Sequence, residues 1–365
     1  MKVLLTSDAL DIAGGENYLI YLAEGLRNKG HNVSVAPKIN SALSGWALEN
    51  NFQSFEIDYG VRGKELPAII QLTKKIKNKN FDIVHSNAGF DRTIAAFAGK
   101  ITGAKNVSTI HSCLSIARNP VHRFRNKFLI DHFTPVGHST KKILVETDKI
   151  PEDKITVVHI GLPVNKISFS PEGRKSIRKI FNIGENTVLF GTLSRLVEFK
   201  GHTYLLKAVS MIKDQADFKI MITGEGELKE DLINESKNLG IQEKIIFTGH
   251  RNDVADILSA FDVIVQPSTD FGGETFPVSI LEALATGLPV IASNVGDIKF
   301  MVDDSNGRLI PPAEPGMLAR VMQEFIRNED LRKNAGRNSR EKFLNNFTLD
   351  EMVRRIESVY MNLLK

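Results

Sequence analysis

Cysteine is almost missing from this chain of 365 residues: Cys113 stands alone, which excludes an internal disulfide and suits a reducing compartment. It reads as a small, inert core residue. Long apolar runs are missing too. The first residues offer only Val3 to Leu5 before Thr6, too brief for the core of a signal peptide, and no stretch approaches a membrane span, so a cytoplasmic protein is expected. Charge of one sign is also scarce. With 47 basic against 43 acidic residues the net charge is only +4, and the basic residues are not interleaved with aromatics, which argues against nucleic acid as a partner. There is no repeat of about 20–50 residues and no low-complexity tract. No Gly-x-Gly-x-x-Gly follows the first apolar run, which argues against a nicotinamide dehydrogenase, and no Asp-x-Asp pair stands in a suitable loop to hold a metal.

What is present is an alternation of strand and helix patterns in a chain long enough for two domains. Residues 2–6 (KVLLT) predict a strand, and a loop leads to a helix over about 17–28, with Gly14 and Gly15 just before it. The segments 81–86 (FDIVHS) and 106–112 (NVSTIHS) predict strands that each end near a histidine, His85 and His111. In the second half, TVLFGTLSRLVEFKG predicts a strand ending at Gly191, then a loop carrying Arg195 and Lys200, then a helix after Gly201. FKIMITGEGELKEDL gives a strand and a turn at Gly224 and Gly226. KIIFTGHRNDVADILSAFD repeats the pattern with Gly249, His250 and Arg251 in its turn.

The richest stretch is 262–294. Val263 to Val265 reads as a buried strand, Pro267 to Gly273 as a breaker-rich loop, and Pro277 as the first residue of a short amphipathic helix that Gly287 and Pro289 end. Two carboxylates, Glu274 in the turn and Glu282 in the helix, have seven residues between them, neither placed for the core. A helix start outside the carboxyl end of a parallel strand offers unpaired N–H groups to an anion, and acceptor-only carboxylates suit sugar hydroxyls. Two cations in the Arg195–Lys200 loop can offset charge growing on a diphosphate leaving group. Each residue taken singly reads equally as a solvated loop or helix group.

The phrase GGETFPVSILEALATGLPVIAS, with its Glu, seven residues and Glu, resembles the signature of the retaining GT-B glycosyltransferases of family 4. The resemblance implies an α/β chain of two doubly wound, Rossmann-like parallel-sheet domains facing a cleft. The acceptor-side domain is expected over residues 1–168 and the donor-side domain over 169–348, with the last helix, 349–365, packing back on the first. It implies Glu274 beside the donor sugar, Glu282 on the ribose, Arg195 and Lys200 on the phosphates and His111 on the donor sugar. Gly14, Gly15, Gly191, Gly224, Gly249, His250, Arg251, Thr275, Phe276, Pro277 and Val278 complete the donor site, and Ser139 caps a helix after FTPVG. No cofactor or metal is expected: the cations and helix amides neutralise charge, and a UDP- or GDP-sugar is the co-substrate. Transfer to a glycan, glycolipid or small-molecule hydroxyl follows, in bacterial cell-surface glycan or glycolipid synthesis. The phrase 155–171 departs from the family's linker, with Ile160, Gly161, Leu162 and Pro163 where an Asn-Gly and an acidic residue are common, and Asp297 stands where a second Gly is common.

Two alternatives stay open: a GT-B epimerase or phosphorylase, and a non-catalytic sugar-nucleotide binder. One basic segment, Arg118, His122, Arg123, Arg125 and Lys127 with Val121, Phe124 and Phe128, fits peripheral contact with an anionic membrane. A solvated face or a basic acceptor pocket fits it as well. Lys74, Lys75, Lys77 and Lys79 close another helix.

Overall fold

The computed structural model describes every residue except Arg62, Ala216, Gly272 and Gly273. The chain forms two compact units, one of residues Met1–Gly161 with Leu349–Lys365, the other of Leu162–Thr348.

The first unit runs β1 (Lys2–Ser7), α1 (Gly14–Asn28), β2 (Asn32–Pro37), α2 (Ala42–Glu49), β3 (Gln53–Ser54) and α3 (Leu66–Ile76). It continues with β4 (Ile83–Ser86), α4 (Asp91–Thr102), β5 (Lys105–Ile110), α5 (Pro120–Phe124), β6 (His132–Pro135) and α6 (His138–Glu146). Its strands make one parallel sheet in the order β3-β2-β1-β4-β5-β6. The order reverses between β1 and β4, so a crevice opens outside their carboxyl ends, where such sheets bind ligands.

The second unit repeats the plan. It contains α7 (Pro171–Ile180), β7 (Val188–Leu193), α8 (His202–Ile212), β8 (Phe218–Thr223), α9 (Lys229–Asn238) and β9 (Ile245–Gly249). There follow α10 (Val254–Ala260), β10 (Val263–Gln266), α11 (Val278–Thr286), β11 (Val290–Ser293), β12 (Gly307–Ile310), α12 (Pro315–Arg327) and α13 (Glu329–Asn346). The sheet order is β12-β11-β10-β7-β8-β9, again parallel, and the reversal falls between β7 and β10. The β-branched run Val263 to Val265 sits in the sheet's middle and is fully buried, which stabilises the fold by about 1.5–3 kcal/mol per side chain. Gly287, left-handed at φ 84°, stops α11.

The last helix, α14 (Leu349–Leu364), belongs to the first unit. It buries Met352, Val353, Ile356, Val359 and Tyr360, and a Cβ at Gly25 of α1 would lie 2.4 Å from Val353 Cγ2, so the two helices approach closely only because position 25 is glycine.

Several local expectations need correction. Helix α1 begins at Gly14, not near Asn17, so Gly14 and Gly15 form its first turn. Helix α6 is capped by Gly137, with Ser139 inside the helix; the Ser139 hydroxyl lies 3.1 Å from Cys113 Sγ. Cys113 is therefore half-buried on a polar loop rather than in the core. Pro277 caps α11 instead of starting it, and β7 runs two residues beyond Gly191. Arg125 does not share the exposed basic face: it is 2% exposed and bonded to Thr93, Ile116 and Asn126.

Candidate functional site

In the second unit, the loops after β7 and β10 leave the sheet at the reversal of strand order and meet there. Lys200 Nζ lies 2.5 Å from Glu274 Oε2, with the two side chains only 12% and 9% exposed. Glu274 is thus not the solvated loop group that its sequence surroundings suggest. The Ser268 hydroxyl donates to the same oxygen at 3.0 Å, and Gln266 Nε2, which donates to Ser268 at 2.8 Å, lies 3.5 Å from it. Both helpers are fully buried. The loops are stitched by Thr269, whose N–H donates to the Phe199 carbonyl at 2.8 Å.

Two glycines make this approach feasible. A Cβ at Gly201 (φ 71°) would fall 1.9 Å from the Pro267 carbonyl oxygen, and one at Gly296 (φ 54°) 2.1 Å from that of Glu274. The Asp297 N–H also donates to the Thr275 carbonyl at 2.9 Å, fixing the strand-like stretch that carries Glu274. Thr275 and Phe276 are buried, and Phe276 packs edge-on against Phe347. Pro277 and Val278 open α11, whose first amides have no side-chain cap; the same is true of α8 behind Gly201. Such amides can receive an anion. Gly272 and Gly273, part of the expected loop, lie outside the described residues.

Glu282 lies on α11, and its carboxylate has no hydrogen-bond partner among the described residues. Burial pushes it up to about 7, with Lys166 opposing. Half-buried at the edge of the helix's apolar face, it is a desolvated carboxyl, able to stay neutral or ionised near pH 7 as its surroundings change.

Arg195 is exposed, without an ion pair among the described residues, on a loop held by backbone bonds from Ser194 to Thr223 and from Leu196 to Glu225. A Cβ at Gly224 (φ 142°) would lie 1.9 Å from the Ser194 carbonyl oxygen, so the Gly-x-Gly turn exists to let this loop pack. His202 Nε2 lies 3.1 Å from Ser194 Oγ; burial above all, then Lys200, brings its pKa down to about 4, so it is a neutral strut. Gly191 is a packing glycine, since a Cβ there would reach 2.0 Å from the Phe261 ring. Gly249 (φ 72°) turns the chain beside Glu225, His250 lies 3.2 Å from Asn252, and Arg251 pairs with Asp253 at 2.7 Å; these three sit near the surface.

In the first unit, the reversal between β1 and β4 gathers Gly14, Gly15, Asn87 and His111. Asn87 Nδ2 donates to the Gly15 carbonyl at 2.8 Å, leaving its Oδ1 to accept from His111 Nε2 at 3.0 Å. That assigns the ring hydrogen to Nε2 and the lone pair to Nδ1. Burial first, then the charge of Arg92, brings His111 down to about 4, so it is neutral at pH 7. Position 15 has room: a Cβ would meet His111 and Asn87 at ordinary contact distances of 3.7–3.8 Å. The fold alone does not require glycine there. His85, by contrast, is a core residue bonded to Tyr360 of α14 at 2.5 Å and Thr109 at 2.7 Å, its pKa brought down by burial to about 3.

Asn87, Ser268, Gln266 and Gly296 were not legible as site residues. The available signals were weak ones: polar residues at or just past the carboxyl ends of β4 and β10, and a glycine turn after β11.

Comparison with known proteins joins these two sites to known sequences. The model described as Glycosyltransferase Family 4 matches residues 12–166, and that of Glycosyl transferases group 1 matches residues 173–342. The UDP-Gal:alpha-D-GlcNAc-diphosphoundecaprenol alpha-1,3-galactosyltransferase of Escherichia coli is 25% identical, over 96% of this chain and 94% of its own. A glycosyltransferase structure from Rickettsia africae superposes with a TM-score of 0.89 at 25% identity, covering 100% of this chain and 98% of that one. The Anabaena protein HepE, solved in complex with UDP, shares the fold at a TM-score of 0.88 and 20% identity, covering 99% and 100%.

Proposed function

Since this chain belongs to the group 1, family 4 glycosyltransferases of GT-B fold, we propose that it transfers a hexosyl group from a UDP- or GDP-sugar to an acceptor hydroxyl with retention of configuration. The observation that carries the reading is the Lys200–Glu274 contact at the carboxyl ends of β7 and β10, beside uncapped helix amides.

In this reading Lys200 and Arg195 take the diphosphate, helped by the first amides of α8 and α11. Glu274 holds hydroxyls of the donor sugar and Glu282 those of the ribose. As the bond from the anomeric carbon to the phosphate oxygen breaks, positive charge grows on the sugar and negative charge on the leaving group. Removing one well-aimed donor from such a site costs about 3–4 kcal/mol in other enzymes. The acceptor oxygen bonds to the anomeric carbon on the face the phosphate leaves, and its proton passes to the departing phosphate oxygen. His111, neutral, offers Nδ1 to a sugar hydroxyl. Glu274 positions the donor and forms no bond to it. Fixed cations and amides do the work that a divalent ion does elsewhere, so transfer proceeds in the presence of a chelator.

The product belongs to a bacterial cell-surface glycan or glycolipid. The exposed outer face of the α5 region, with Val121, Phe124 and Phe128 beside Arg123 and Lys127, supports peripheral contact with an anionic membrane. Salt-sensitive co-sedimentation with anionic vesicles is the expected result, and its absence removes that contact.

The decisive experiment is a thermal-shift screen against sugar nucleotides, followed by NMR assignment of the product's anomeric configuration. One donor class should raise the melting temperature, by the equivalent of about 2.7 kcal/mol when it is present at a hundred times Kd. An inverted product defeats the retaining mechanism; absence of any shift defeats donor binding.

A further inference from the structure

Arg92 opens α4 just past β4, Arg118 lies in the loop past β5, and His122 and Arg125 follow in and beyond α5. All four therefore stand beyond the carboxyl edge of the first unit's sheet, and the charge of Arg92 acts on His111 and on His122. Arg92 is 7% exposed and Arg125 2%. Two arginines buried side by side are costly unless something compensates them.

Compensation inside the protein is incomplete. Arg174 and Arg178 both pair with Asp262, but among the described residues no carboxylate is in ion-pair contact with Arg92, Arg118 or Arg125. Asp91, Asp8 and Asp148 offset part of the charge on Arg92 from a distance, but the hydrogen bonds they accept come from other groups, and Asp91 Oδ1 is buried without a partner. Asp148 accepts from the Ser115 hydroxyl and the Ile116 N–H, and Asp8 accepts from the N–H groups of Phe90 and Asp91. Asp91 accepts from Thr6 and from the Asn87 N–H, and Glu65 from the Gly63 N–H. Burial and Asp8 push Asp91 up to about 7, which reduces its negative charge further.

Donors remain. Arg125 is spent on Thr93, Ile116 and Asn126 and acts as fixed background charge. Arg92 uses Nε on Ser108 and Nη2 on the Ala88 carbonyl, leaving Nη1 without a partner among the described residues. Arg118 uses only Nε, on the Ser115 carbonyl, and His122 Nδ1 is enclosed without a partner. A guanidinium fork with open N–H groups, a second guanidinium and an imidazole match the oxygens of a phosphate.

We propose that Arg92, Arg118 and His122 form an anion subsite that receives a phosphate group carried by the acceptor. The proposal rests on the glycosyl-transfer reading and narrows its acceptor to phosphate-bearing molecules, lipid-linked or soluble. Arg125 beneath it sets the charge and is a positioning residue.

The test uses the full chain with saturating UDP and GDP present, so that any nucleotide-phosphate site is occupied. Three probes are titrated by calorimetry: glycerol 3-phosphate, geranyl diphosphate and malonate. At least one phosphate probe should bind more tightly than malonate, and Arg118→Ala, at an exposed position that leaves the fold intact, should weaken it at least tenfold while nucleotide affinity stays unchanged. Tighter geranyl diphosphate marks a lipid-linked source and tighter glycerol 3-phosphate a soluble one; both support the subsite. Failure of both phosphates to bind, equal binding by Arg118→Ala, or malonate binding as tightly overturns it. Failure of the nucleotides alone to bind strikes the donor reading instead, because the Arg118 dependence is read separately.

Discussion

Lys200 and Glu274, 74 positions apart in sequence, hold each other through a 2.5 Å contact between Nζ and Oε2. Each thereby holds the other oriented in a place that is nearly closed to water. In the proposed reaction an entering donor would exchange this contact for two others: its phosphate would take up the lysine, and its hydroxyls would donate to the carboxylate.

Lys200→Ala and Glu274→Gln should each lower transfer at least about 100-fold. Each should also destabilise the fold by about 3 kcal/mol, the usual loss when one partner of an enclosed ion pair is removed. The double variant should be less destabilised than the sum of the two, because both changes remove one interaction. Turnover assays and urea midpoints measure this; near-normal turnover in either single variant refutes the assigned roles.

Glu282 makes stability depend on pH in an unusual direction. Its carboxyl, raised to about 7 when folded from an ordinary 4.5, binds its proton more tightly in the folded state. Stability is therefore lost as pH rises from about 4.5 to about 7. Glu282→Gln, which cannot ionise, should match the parent near pH 4.5 and exceed it by about 3 kcal/mol at pH 8. A gap that is the same at both pH values would show that burial does not hold the proton.

Two glycine substitutions should separate chemistry from packing. Gly15→Ala has room for its methyl and should leave stability within about 1 kcal/mol while reducing turnover, because the methyl crowds the amides that open α1. Gly191→Ala drives its methyl into the Phe261 ring and should cost about 1–3 kcal/mol. Melting curves together with donor-dependent rates decide. If Gly15→Ala keeps full activity, that glycine does not serve a ligand.

Much of the plan was legible because it rests on local pattern. Val263 to Val265 and Val3 to Leu5 mark central strands, and Gly201 and Gly287 mark the helix boundaries they form. What escaped depends on distant partners. Glu274 reads as a wet loop residue until Lys200 and Gly296 close on it from other parts of the chain. Arg125 looks like its basic neighbours, yet Thr93 and Ile116 draw it inside. Helix α1 begins early because Glu16 reaches back to the Ala13 N–H at 3.3 Å, a support that the preceding glycines conceal. Ser170 caps α7 with Pro171 at its first position, both ordinary start signals, but they stand at the end of the phrase 155–171, which resembles a linker.

The assignment of α14 to the first unit makes that unit discontinuous along the chain. His85 finds its phenol partner, and Gly25 its close neighbour, only in residues made after the whole second unit. During synthesis the amino-terminal unit therefore has all of its strands but lacks its last helix until the whole second unit has been made, and a chaperone engaging the nascent chain would meet the first-made half as the last to be completed.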